Sequence, residues 1–160
     1  MTTFLLLGSN QGDRLALLAE ARRQLQAGVG NIRQASAIYE TAAWGLENQP
    51  AFLNQVLLLE TALSPEDLLR EINRIEKILG RVRGLKWAAR VIDIDILYYG
   101  DLVLQTARLQ IPHPFLQDRR FTLLPLAEIA PDWLHPVLQK TNRQLLDACP
   151  DKLEARKLVN

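Results

Sequence analysis

The chain has 160 residues, of which 48% are apolar and 23% charged. These are the proportions of one globular domain, and they exclude a disordered chain, a collagen and a coiled coil. Nineteen basic against eighteen acidic residues leave a formal charge of +1, so no global field draws nucleic acid or anionic lipid to the surface. A single domain over residues 1–160, working as a monomer, is expected. No apolar run approaches the ~20 residues of a membrane span, and Met1-Thr2-Thr3-Phe4 lacks a basic signal-peptide start. Cys149 is the only cysteine, which excludes an intramolecular disulfide and predicts a reducing, cytoplasmic location.

Thr3 to Leu7 is short, apolar and strand-compatible, and Gly8-Ser9-Asn10-Gln11-Gly12 predicts a turn after it. Asp13 can cap the next segment, where Leu15, Leu18, Arg22 and Leu25 recur at helical spacing up to the Gly28-Val29-Gly30 stop. Asn31 to Tyr39 reads as a strand, Glu40 to Pro50 as a loop, and Phe52 to Thr61 as a further strand. Ser64 and Pro65 then mark a helix start, with Glu66 and Asp67 suited to its positive end. Leu68, Ile72, Ile75 and Leu79 form one apolar stripe, which Gly80 ends. Val91 to Tyr98 alternates, with Ile92, Ile94, Ile96 and Tyr98 on one face and Asp93, Asp95 and Leu97 on the other. After a Tyr99-Gly100-Asp101 turn, Leu102 to Leu104 reads as a short strand, and helix returns around Phe121 to Ile129 and Asn142 to Ala148. The order βαββαββ plus a helical tail predicts an α+β fold. It is expected to be a ferredoxin-like sandwich, a mostly antiparallel sheet with both helices on one face and a C-terminal helical extension.

Charge is unevenly spread along this frame. Arg74, Lys77, Arg81, Arg83, Lys86 and Arg90 stand against Glu76 alone, so the rest of the chain is net acidic. Just downstream, Asp93 and Asp95 are two residues apart on one strand and project from the same face, roughly 6.5–7 Å apart. Two like charges on an otherwise aliphatic strand repel and are costly to desolvate, and a divalent cation resolves the conflict. Oxygen ligands without histidine or cysteine favour Mg²⁺, whose other positions fill with water and phosphate oxygens. Taken alone, the pair could equally mark a solvent-facing sheet surface. The neighbouring basic side chains, in a stretch bounded by Gly80 and containing Gly84, suit phosphate and the positioning that phosphoryl transfer needs. Their alternative is an exposed basic loop, on which Trp87 could stack on a base or act as a pin. There is no G-x-x-x-x-G-K-S/T, and Gly28-Val29-Gly30 lacks a third glycine, so side chains must hold any nucleotide. His113, between two prolines, can donate to a phosphate or ribose or play a structural part. An RNA-binding module using the basic strip is opposed by the net-acidic remainder and by the lack of paired exposed aromatics on the strands. Residue chemistry alone does not separate diphosphoryl transfer from transfer of one phosphoryl group or of a nucleotide.

An ordered set of motifs carries a family resemblance. It comprises Gly8-Ser9-Asn10, Tyr39-Glu40-Thr41, Gln49-Pro50-Ala51-Phe52-Leu53-Asn54, Glu76 with Gly80-Arg81-Val82-Arg83, and Trp87-Ala88-Ala89-Arg90-Val91-Ile92-Asp93-Ile94-Asp95-Ile96. Pro112-His113-Pro114 follows, with Arg119, Phe121 and Pro125-Leu126-Ala127-Glu128-Ile129-Ala130-Pro131. Over about residues 3–134 the chain closely resembles the 6-hydroxymethyl-7,8-dihydropterin pyrophosphokinase family. The resemblance implies an enzyme of folate biosynthesis that moves the β,γ-diphosphate of ATP onto the pterin hydroxymethyl group, releasing AMP. Its partners would be ATP and 6-hydroxymethyl-7,8-dihydropterin, without nucleic acid or membrane. Asp93 and Asp95 would ligate two Mg²⁺ ions, and Arg81 and Arg83 would belong to a catalytic loop. Arg90 and His113 would hold phosphate oxygens with Arg119 nearby, and Glu76, Trp87, Ile96, Arg108 and Gln110 would serve the ATP side. The pterin would stack on Phe121 beside Thr41, Ala42, Trp44, Phe52 and Asn54, whose amide can read the ring's polar edge. An aromatic slot with one amide suits a flat polar heterocycle in kind. The chain departs from the family pattern at Ala42 and Ala43, where proline is frequent. Other departures are Trp44 at a commonly aliphatic position, Phe52 for a frequent tyrosine, and Ala89 for a common proline.

Overall fold

A computed structural model describes residues 1–42, 51–80 and 91–158. The first apolar run forms β1 (Thr2–Ser9), and α1 (Arg14–Gly28) follows, capped by Asp13, which accepts from the Ala16 N–H at 3.1 Å. β2 (Gly30–Ala35), β3 (Tyr39–Thr41) and β4 (Phe52–Thr61) come next, then α2 (Pro65–Ile78), capped by Ser64 with Pro65 in its first turn. β5 (Asp93–Tyr99) precedes a small hairpin of β6 (Leu104–Gln105) and β7 (Gln110–Ile111). α3 (Arg120–Ile129), α4 (Asn142–Asp147) and β8 (Ala155–Lys157) complete the order.

The main sheet runs β5-β1-β4-β3-β8, with β2 also on β4, and all of these pairings are antiparallel. Alternation along β1 sends Leu5 and Leu7 to one face and Phe4 and Leu6 to the other, so the sheet has a core on each side. On the first face, α1 contributes Leu18, Ala21 and Leu25 and α2 contributes Leu68, Ile72 and Ile75, all buried. On the second, α3 and α4 bring Leu123, Leu126 and Leu145 onto Phe4, Leu6 and Val56. That second cover stops short of the Gly8 end of β1, and a cavity opens there. Among the described residues, no helix is long and apolar enough to cross a membrane.

The α+β class and the two helices on one face agree with the sequence reading; local details differ, each for a physical reason. β1 continues through Gly8 and Ser9, which pair with Asn54 and Leu53, because the β4 ladder outcompetes the turn preference. The strand expected over Asn31 to Tyr39 is two strands, both on β4. Ser36 interrupts them: its N–H donates to the Val56 carbonyl at 2.9 Å while its Oγ accepts from the Val56 N–H at 3.0 Å. Tyr98 does not share the face of Ile94 and Ile96. The β1–β5 register shifts so that Leu5 faces Ile96 but Phe4 faces Tyr98, leaving Leu97 as the extra residue of a bulge. Tyr98 therefore enters the second core, where its hydroxyl donates to Asn142 Oδ1 at 2.8 Å, and Tyr99 joins the first. Of the strand expected at Leu102 to Leu104 only Leu104 is extended in a ladder, in β6, which pairs with β7 outside the main sheet. The tail is not wholly helical, since it ends in β8 on β3.

Candidate active site

The floor of the site is set by register. Across four adjacent strands, Asp93, Gly8, Asn54 and Tyr39 stand in one row, and Asp95, Leu6 and Val56 form the next. At ~4.8 Å between strands, Asp93 and Asn54 stand roughly 10 Å apart with only Gly8 between them. A β-carbon on Gly8 would lie 3.0 Å from Asn54 Oδ1, so the absent side chain keeps the middle of the floor open. Asn54 is buried, and its Nδ2 donates to Thr41 Oγ1 at 3.1 Å, which orients the amide.

Over this floor lies a cavity of about 830 Å³, lined by Gly8, Thr41, Asn54, Asp93 and Asp95 below and by Phe52, Phe121 and Arg119 at its sides. That volume is in the range of small-molecule sites. The Arg119 guanidinium lies 5.2 Å from the Phe115 ring centroid and 5.7 Å from that of Phe121, a cation held between two aromatic faces. Asp93 and Asp95 are half-buried on the same face of β5. Among the described residues, no group of three or more His, Cys, Asp or Glu could hold a metal ion. A pair of carboxylates opening onto a cavity fits Mg²⁺ nonetheless, since that ion takes one or two protein carboxylates and keeps its other positions for water and phosphate.

A further set of residues lies along β5, the edge strand of the sheet. The Ile94 N–H, directed away from β1, donates to Glu76 Oε2 at 2.9 Å, and the His113 N–H donates to the Leu97 carbonyl at 3.0 Å. His113 Nδ1 accepts from the Phe115 N–H at 3.2 Å, which assigns the proton of the neutral ring to Nε2. Burial lowers the His113 pKa below the ordinary imidazole value; Asp95 opposes that shift and Arg119 adds to it. The ring is therefore neutral at pH 7, with one N–H to donate.

Comparison with known proteins gives this geometry a family. The model of 7,8-dihydro-6-hydroxymethylpterin-pyrophosphokinase (HPPK) matches residues 4–131. The chain belongs to the HPPK family. It is 47% identical over 139 residues to the 2-amino-4-hydroxy-6-hydroxymethyldihydropteridine pyrophosphokinase of Aquifex aeolicus, covering 87% of this chain and 86% of that one. To the enzyme of the same name from Synechocystis it is 44% identical over 143 residues, with 88% and 72% covered. A crystal structure of Plasmodium falciparum HPPK-DHPS shares the fold at a TM-score of 0.73 and 18% identity, covering 91% of this chain and 44% of that longer one.

In this HPPK-family chain, the fold brings Thr41, Ala42, Phe52, Asn54, Phe121, Arg119, Asp93 and Asp95 around one cavity. Five of the expected residues do not line it. Ile96 is buried in the first core, Glu76 holds the edge of β5, and Gln110 sits in the small hairpin after the exposed Arg108. His113 lies beside the bulge of β5. Trp44, Arg81, Arg83, Trp87 and Arg90 lie outside the described residues. The cavity also includes Gly8, Phe115, Asp118 and Pro150–Leu153, which sequence reasoning had not placed there. For Gly8 the signal was its position directly after the apolar run Thr3 to Leu7, read as a turn. Nothing in spacing or composition marks Pro150–Leu153.

Proposed function

We propose that this HPPK-family chain transfers the diphosphate of ATP to the hydroxymethyl group of 6-hydroxymethyl-7,8-dihydropterin, giving AMP and the pterin diphosphate for folate biosynthesis. The observation that carries the reading is the Asp93–Gly8–Asn54 row, which sets a carboxylate pair beside a polar, aromatic-walled slot. The pterin ring stacks against Phe121, with Phe52, Thr41, Ala42 and Trp44 around it. Asn54, its Nδ2 engaged by Thr41, presents its carbonyl to the ring's N–H groups. That seat points the hydroxymethyl group across Gly8 towards Asp93 and Asp95. Its oxygen forms a bond to the β-phosphorus and gives up its proton to solvent, the bond from that phosphorus to the α,β-bridging oxygen breaks, and AMP departs with that oxygen.

Asp93 and Asp95 would hold two Mg²⁺ ions, which when bound supply neutralisation of phosphate charge. The neutral His113 donates its Nε2–H to a phosphate oxygen, and Arg119 offers its guanidinium fork to the same phosphates. Glu76, Ile96, Arg108, Gln110 and Trp87 serve the adenosine side along the β5 edge, while Arg90, Arg81 and Arg83 act on the phosphates. The architecture is read as ferredoxin-like, supported by the antiparallel order β5-β1-β4 with β2 and β3 beyond it, both α1 and α2 on one face, and α3 and α4 as an added cover. Residues 1–160 are read as one pyrophosphokinase domain acting as a cytoplasmic monomer on small molecules, without nucleic acid or membrane, in line with the near-neutral charge.

The test is product analysis with ATP, Mg²⁺ and the reduced hydroxymethylpterin. AMP formed in step with pterin diphosphate, and abolished by chelator, is the expected result. ADP as product, or turnover indifferent to the chelator, overturns the reading.

A further inference from the structure

Two walls of the cavity come from distant parts of the chain: the start of α3, with Arg119 and Phe121, and the end of β3, with Thr41 and Ala42. Pro150–Leu153 form a third wall, in a segment beyond the residues 4–131 that the family model matches. This segment is tied at both ends. At one end, Asp151 Oδ2 accepts from the N–H of Arg120, the first residue of α3, at 3.1 Å. Arg119 occupies the cap position of that helix and makes no side-chain capping bond, so the capping oxygen comes from 31 residues downstream. The other carboxylate oxygen accepts from the Leu153 N–H at 2.9 Å, which turns the chain back along the cavity.

At the other end, β8 pairs with β3, with Ala155 opposite Thr41 and Arg156 opposite Glu40. Arg156 meets the Glu40 carboxylate at 3.0 Å, Arg14 meets it at 3.1 Å, and the Leu158 N–H donates to the Ile38 carbonyl at 2.8 Å. The exposed ion pair adds little stability by itself, but it fixes the register of a three-residue strand. One short segment thus joins the aromatic wall of the slot to the wall that carries Thr41, the partner of Asn54.

We propose that Pro150–Lys157 is a strap that sets the width of the pterin slot, with Asp151 as its positioning residue. Through the first N–H of α3, the Asp151 carboxylate fixes where Phe121 and Arg119 stand relative to Thr41 and Asn54. The ring face and the ring edge are then read at one set separation, and a displacement of about 1 Å is enough to spoil such a fit. The strap acts chiefly on the flat bicyclic substrate, through Phe121; of the ATP contacts proposed above only Arg119 stands at the strap, and the others lie along β5, so the larger effect falls on the pterin. This inference rests on the pterin reading of the cavity given above.

The experiment is steady-state AMP formation by the full chain, with each substrate varied in turn, for the parent, Asp151→Ala and Asp151→Asn. Asp151→Ala is expected to raise the pterin KM about tenfold with the ATP KM within about twofold of the parent; Asp151→Asn, which keeps an oxygen that can cap, is expected to recover most of the loss. Arg156→Glu acts at the exposed far end, should Asp151→Ala fold poorly, and is expected to raise the pterin KM about threefold by repelling Glu40. A pterin KM unchanged in both Asp151→Ala and Arg156→Glu, or equal rises in both substrates' KM, overturns the strap. A parent that releases no AMP overturns the activity on which it rests.

Discussion

The two faces of the sheet are built from alternate residues of the same strands and have opposite fates. On the first face, Leu5, Leu7, Leu57 and Leu59 meet α1 and α2 in a closed apolar core. On the second, Phe4, Leu6 and Val56 are covered by α3 and α4, but two strand positions further along the floor becomes Gly8, Asn54 and Asp93 and the cover ends. The difference teaches that the cavity opens where packing is withheld: the closed face holds the strands in register, and that register aligns polar residues on the other side.

The sharpest break in the comparison is Asp95→Ala. Removing one of two carboxylates from the open face should cut magnesium-dependent AMP formation at least about a thousandfold, since charge neutralisation of the phosphates is worth several kcal/mol. The thermal midpoint should move little, because the carboxylate is only half-buried, on the face of β5 that opens onto the cavity. A folded variant with near-parent activity would remove the metal assignment. Leu57→Ala on the closed face should do the reverse. Leu57 is fully buried, so the substitution should cost about 2–5 kcal/mol in denaturant unfolding while both KM values of the folded fraction stay near the parent's.

Gly8→Ala sharpens the boundary between the faces. Its new methyl group lies 3.0 Å from Asn54 Oδ1 on the slot floor, so the pterin KM should rise about tenfold with the ATP KM unchanged. A pterin KM within twofold of the parent would show that the ring does not approach Gly8.

The smallest expected effect is on pH dependence. Burial holds both His113 and His135 below the ordinary value of 6.5, and His135 Nδ1 accepts from the Val137 and Leu138 N–H groups, a role that protonation at that nitrogen ends. A depressed folded-state pKa means that the unfolded chain binds the proton more readily. The stabilisation is complete above pH 6.5 and is lost as pH falls through the folded values. Thermal midpoints should therefore fall between pH 6.5 and pH 5, and His135→Asn should flatten part of that slope. An unchanged slope in a folded His135→Asn variant would assign the effect to other groups.

Much of this is legible in the sequence. The α2 stripe of Leu68, Ile72 and Ile75 packs as a period of 3.6 requires, and the strand from Phe52 to Thr61 ends where expected. Asp93 and Asp95 share a face because strand alternation is local, and the motif set singled out Asn54, Phe52 and Phe121, which line the cavity. What escaped depends on partners distant in sequence. The bulge at Leu97 exists only in the pairing of β5 with β1, so Tyr98 could not be assigned to its core from alternation alone. Asp151 and β8 carry no local signal, because an acceptor and a short edge strand gain meaning only from the N–H of Arg120 and from β3.

By itself, the order of residues determined the periodic elements, the family to which the chain belongs and the carboxylate pair, because each is written in spacings of two to four residues or in contiguous motifs. Tertiary structure alone decided that Asp93, Gly8 and Asn54 stand in one row, that helices leave that end of the face open, and that residues 150–153 close its side. Strand register and the reach of a covering helix are settled by the whole packed molecule, since each depends on burial that no single segment achieves alone.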